Sequence, residues 1–133
     1  SRMNMRNIVL AFLLLSSTLF SMEWAKDVKT AFSLAKKEHK NVMVFVEGEN
    51  CSWCKKMKHR TLSDAEVEKR LEKFVVVKVM REDTSAMAIL PQIQGVPTIF
   101  FMKANKDVLE EVVGYFNVED FISYINDVEK KSK

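Results

Sequence analysis

The sequence is short of the residues that staple, kink or break a chain. It has 133 residues with two cysteines, two prolines and three glycines. With one pair of cysteines it is not a multiply cross-linked small scaffold. A structural zinc site needs about four ligands. Beyond the two cysteines, His39 and His59 are the only soft candidates, so zinc has little to build on. So little glycine and proline argues against long linkers. The charge is also modest, a formal +3 with acids and bases interspersed. No basic stripe forms, and the chain offers no case for nucleic acid. No apolar run reaches the roughly 20 residues of a comfortable membrane span.

What is present is ordinary globular composition, 47% hydrophobic and 29% charged. The length fits one domain with its own core. The first 21 residues stand apart. Arg2 and Arg6 precede the apolar run Ile8–Leu15, and Ser16, Ser17, Thr18 and Ser21 follow. That layout reads as a secretory signal peptide over residues 1–21, with an uncleaved membrane anchor as the alternative. Removing it deletes two arginines and no acid, which leaves residues 22–133 at +1. An exported domain with one dithiol is better read as a redox worker of a bacterial envelope than as a stapled scaffold.

The two cysteines sit three apart, in Asn50-Cys51-Ser52-Trp53-Cys54. The apolar run Val42–Val46 leads in and the helix-forming run Lys55–Lys58 leads out. The pair therefore falls where a buried strand ends and a helix begins. The first turn of a helix has unpaired N–H groups and a positive dipole end, which favour a thiolate. Such a pair can attack a disulfide with Cys51 and resolve the mixed disulfide with Cys54. A structural disulfide and two inert thiols are the bland alternatives. So small a loop would constrain the unfolded chain little.

Periodicity orders the rest. Trp24 to His39 has helical spacing, with His39 as its cap. Val42–Val46 is continuously apolar, as a central strand would be. The dithiol helix runs to about Arg60, and Ser63 with Glu66 reads as a capping box for the next helix. Phe74–Met80 is a β-branched strand interrupted by Lys78. A short helix over 85–90, strands over 99–102 and 108–113, and a last helix opening at Asn117 complete the chain. The expected order is α, β, α, β, α, β, β, α, with parallel strands from the early crossovers and an antiparallel hairpin edge. This is an α/β sandwich with helices on both faces of a mixed sheet of about four strands.

The chain at this point resembles thioredoxin-fold proteins over roughly residues 26–128, in particular exported thioredoxin-like domains that carry electrons in bacterial envelopes. The resemblance rests on Cys51-Ser52-Trp53-Cys54 after a central strand, Val96-Pro97-Thr98 opening a later strand, and Gly114 before the last helix. It implies an exported thiol–disulfide oxidoreductase that chiefly reduces protein or peptide disulfides. An oxidase or isomerase, and a non-catalytic binding or metal-carrying module, are the alternatives. Cys51 would attack and Cys54 resolve. Trp53 would shape the exposed rim, and Val96 with a cis Pro97 would guide substrate. No cofactor or metal is implied. Electrons would come from a membrane-bound donor, and the domain would act as a monomer. The chain also departs from the pattern. Phe45 stands where the family has a buried acid, and Lys78 where thioredoxin has that acid's lysine partner. Glu47, two residues further along the same strand face, is the expected substitute, paired with Lys78 and taking the proton from Cys54.

Overall fold

The computed structural model describes residues 22–132. The signal-like segment of residues 1–21 lies outside them. Helix α1 spans Val28–Glu38, strand β1 Asn41–Glu47 and helix α2 Ser52–Lys56. A π-helical turn, Met57–Thr61, continues α2. Helix α3 spans Ala65–Leu71, β2 Phe74–Met80, α4 Thr84–Met87, β3 Thr98–Met102, β4 Val108–Val113 and α5 Val118–Lys131. The sheet order is β2-β1-β3-β4. The run Val42–Val46 is therefore internal, which is why it carries no polar face.

The expectation of parallel strands holds for β1 and β2 alone. Strand β3 runs antiparallel to β1, with Phe45 opposite Ile99, and β4 returns antiparallel to β3. The hairpin closes through the Lys103 N–H, which donates to the Asp107 carbonyl at 2.8 Å.

Strand alternation divides the core into two clusters. Val42, Val44 and Val46 join Val75, Val77 and Val79 beneath Val28, Ala31, Phe32 and Ala35 of α1. Met43, Phe45, Phe74, Val76 and Phe101 face the other way, against Cys54, Met57, Leu71 and Phe121. The dithiol helix thus lies on the sheet face opposite α1.

Three local expectations change. Helix α1 begins at Val28, because the Asp27 carboxylate accepts from the Thr30 N–H at 2.7 Å and caps it. That hydrogen bond holds Asp27 below the ordinary carboxylate value. Trp24 is instead paired with Val76 in an isolated parallel bridge, and the Ala25 N–H donates to the Val76 carbonyl. Helix α3 is capped by Asp64, which accepts from Glu66 and Val67, while the Ser63 hydroxyl donates to the His59 carbonyl. Ser63 is thus committed to the preceding turn and does not cap. The dithiol helix loses α geometry after Lys56 at the π turn, where buried Thr61 donates to the Phe116 carbonyl at 2.6 Å.

Candidate functional site

Strand β1 delivers the chain to a tight turn at Gly48–Asn50. A side chain at Gly48 would place its Cβ 3.0 Å from Arg81 Cδ and 3.2 Å from Val96 Cγ2. Only glycine fits there without displacing a neighbour. Asn50 takes the left-handed conformation, φ 55°, which asparagine tolerates better than most residues. Cys51 follows in extended geometry as the N-cap of α2, and its sulfur accepts from the Cys54 N–H at 3.1 Å. A free N–H of the first helical turn thus points at the outer sulfur, an arrangement that favours negative charge on it.

Cys51 and Cys54 are joined in a disulfide with their Cα atoms 5.2 Å apart. They differ in access. Cys54 is 1% exposed and packs in the core beside Phe45 and Met57, whereas Cys51 is only half-buried. The outer sulfur can meet a macromolecule and the inner one cannot.

Two other segments converge on this turn. The Val96–Pro97 peptide bond is cis, and the Val96 side chain lies against Gly48. Gly114, with φ 96°, donates its N–H to the Pro97 carbonyl at 2.8 Å, tying the end of β4 to the proline loop. Tyr115 follows, and its ring meets that of Trp53 at 5.6 Å between centroids. Trp53 is 54% exposed. Cys51, Cys54, Trp53, Val96 and Pro97 are therefore gathered on one end of the sheet.

Glu47 and Lys78 share the dithiol face of the sheet but do not pair. Glu47 is 9% exposed, and its carboxylate meets Lys58 at 2.7 Å. Lys58 lies one helical turn beyond Cys54 and reaches back over the strand end. Lys78, on edge strand β2, is exposed and places its ammonium 5.0 Å from the centre of the Trp24 ring. An edge position lets its head reach solvent and an aromatic face, so burial never forces a carboxylate on it. The sequence does signal Lys58, four residues after Cys54 and hence on its helical face. What it does not signal is the placement of the strand end beneath that helix. Among the described residues, no group of three His, Cys, Asp or Glu side chains could hold a metal ion.

A Cys-x-x-Cys pair capping a helix, beside a cis-proline loop on a four-stranded mixed sheet, defines the thioredoxin-like class. A family model described as a thioredoxin-like domain matches residues 28–129, and the chain belongs to that family. No curated protein matches the sequence significantly. Among solved structures, a thioredoxin from Thermus thermophilus is 27% identical, with a TM-score of 0.73 over 84% of this chain and 90% of that one. The C-terminal domain of DsbD from Neisseria meningitidis, oxidised form, is also 27% identical, with a TM-score of 0.61 over 74% of this chain and 90% of its own. A DsbH oxidoreductase shares the fold at 19% identity and a TM-score of 0.70, over 84% of this chain and 86% of that one. The fold and the Cys51–Cys54 pair together support thiol–disulfide oxidoreductase chemistry in general.

Proposed function

We propose that this protein is an exported reductase of protein disulfides. The observation that carries the chemistry is the unequal access of the two sulfurs, Cys51 at the surface on a helix N-terminus and Cys54 in the core. In the reduced protein the Cys51 thiolate attacks a substrate disulfide. One substrate sulfur leaves as a thiolate and the other stays bonded to Cys51. The Cys54 thiolate then attacks the Cys51 sulfur, releases the second substrate thiolate and restores the observed disulfide. Two electrons pass to the substrate, and both substrate sulfurs end as thiols.

The direction rests on Ser52 and Trp53. Neither can carry charge, so nothing between the cysteines adds a cation to stabilise the thiolate and make the disulfide strongly oxidising. Val96, whose side chain lies against Gly48 in the turn before the cysteines, and the adjoining Pro97 would offer backbone to an extended substrate segment. Trp53 forms the rim. Glu47 is the candidate proton acceptor for Cys54, now with Lys58 as its ion partner in place of Lys78. Its strand face is shared with Phe45, which packs in the cluster containing Cys54. Export is supported by the charged, apolar and small-residue layout of residues 2–21. The electron donor would be a membrane-bound dithiol protein, and the domain would work as a monomer.

The test is equilibration of the Cys51–Cys54 pair with glutathione, alongside insulin reduction. The expected potential lies nearer about −270 mV than about −120 mV, with turnover of insulin. A value near the upper figure would make the protein an oxidase. Failure to turn over insulin, together with stoichiometric zinc in the reduced protein, would favour a binding module.

A further inference from the structure

Beside the dithiol, Lys56 is held in a place that the disulfide exchange itself does not require. Its ammonium lies 4.6 Å from the centre of the Trp53 ring and 5.0 Å from that of Tyr115. The two rings are stacked at a tilt of 40°, and the lysine is half-buried against them. Trp53 and Lys56 are three apart on α2, so they share a helix face. Tyr115 arrives from the β4–α5 loop, fixed by the Gly114 hydrogen bond to Pro97. The charge is therefore positioned by two segments, α2, which carries the cysteines, and the β4–α5 loop, itself tied to the proline loop.

No carboxylate neutralises it. Among the described residues Lys56 makes no ion pair, and neither do Lys55 and Arg60. From Asn50 to Leu62 the chain has no acid at all. Of the cations on this helix, Lys58 alone is paired, with Glu47. An ammonium resting on aromatic faces keeps part of its coordination open, and neighbouring unpaired cations raise the local positive potential. The residues 22–133 carry only +1 in all, so this potential belongs to the active-site rim and not to the whole surface.

We infer that the Trp53–Lys56–Tyr115 cluster is a recognition subsite for acidic substrate segments, selecting disulfides with an aspartate or glutamate close to the reacting cysteine. Lys56 follows Cys51 by five residues, about 7.5 Å along a helix axis. Two residues of extended peptide span about 6.6 Å. The acidic side chain therefore belongs two or three residues from the cystine bonded to Cys51, with its peptide running over the exposed Trp53 ring. The subsite deepens the oxidoreductase reading and rests on it.

The experiment uses three synthetic peptides, each with the same disulfide, flanked at those positions by Asp, Ser or Lys. The reduced protein should turn over the Asp peptide roughly three- to tenfold faster than the Ser peptide, and the Lys peptide more slowly still. The spread should collapse in about 1 M salt, where screening acts within about 3 Å. In Lys56→Gln the ratio of Asp to Ser rates should fall towards one, and Lys56→Arg should keep it. A second measurement needs no turnover: affinity of the oxidised protein for the same peptides with the disulfide replaced by a thioether. Tighter binding of the Asp version supports the subsite even if no peptide is reduced, an outcome that would sink the reductase reading alone. Equal rates and equal affinities for the three peptides, or a Lys56→Gln protein with an unchanged ratio, would overturn the proposal.

Discussion

The two faces of the sheet are built to different rules. Beneath α1 the contacts are small and repetitive. Six valines from β1 and β2 meet Val28, Ala31, Phe32 and Ala35, all buried. The opposite face is more varied, with four phenylalanines and two methionines among leucine, isoleucine and valine, and the dithiol segment on it contains the left-handed Asn50 before the cysteines, the π turn after them, and the Glu47–Lys58 pair at its rim. Both sides of the four-stranded sheet are packed, but the chemistry is carried on only one of them. A regular face of β-branched residues fixes the sheet. The other face can then spend local order on placing a sulfur, a charge and a loop.

That division is sharpest at the cysteines. Cys51→Ser should abolish disulfide reduction outright, and Cys54→Ser should accumulate mixed disulfides through Cys51, seen as a mass increase after incubation with an oxidised substrate. If alkylation of the reduced protein labels Cys54 before Cys51, the roles of the two sulfurs are reversed. On the far face the expectation is the converse. Phe32→Ala, a buried ring in α1, should cost about 3–5 kcal/mol in urea unfolding. The potential of the dithiol, measured below the unfolding transition, should stay at the wild-type value. A shift in potential would show that the two faces are coupled.

These three substitutions also mark what the sequence could show. Val42–Val46 and Phe74–Val77 announce internal and paired strands because continuous β-branched runs fit little else. Cys51 and Cys54 stand out because a three-residue spacing between a strand and a helix is a local pattern. The π turn is not legible, since Met57–Thr61 has no helix-breaking residue; Thr61 is turned inward by its bond to Phe116, 55 residues away. The choice of Asp64 over Ser63 as cap hinges on which of two adjacent good cappers has its side chain free, and Ser63 is taken by His59. Glu47 was legible as a charge at the strand end, but its partner comes from a helix crossing over it. Strand periodicity says nothing about that crossing.

A subtler test of the dithiol face is Glu47→Gln. Resolution of the mixed disulfide by Cys54 should slow by about a hundredfold, the lower end of general-base contributions. The initial attack by Cys51 should be nearly unchanged, as followed by rapid-quench trapping of the intermediate. Equal slowing of both steps would point to a structural loss and not to proton transfer. The smallest expected effect returns to the α1 face. Asp27→Ala removes a helix cap on the exposed surface and should lower the Tm slightly at neutral pH. Because the folded carboxyl is held below its ordinary value of 3.8, the wild type owes this stability to the ionised form. The advantage is present above that value and is lost as pH falls through the lower folded one. The two Tm curves should therefore converge in strong acid. A gap that persists there would mean the mutation acts through something other than the cap.

The Met57–Thr61 turn also bears on how this chain should be compared with its kin. A π turn takes in about one residue more than an α turn before the helix resumes its course. In an alignment it is therefore equivalent to a single-residue insertion. A homologue whose helix stays α through this stretch should align with a one-residue gap between Lys56 and Leu62, and an alignment forced through without one would shift Cys54 or Thr61 onto the wrong neighbour.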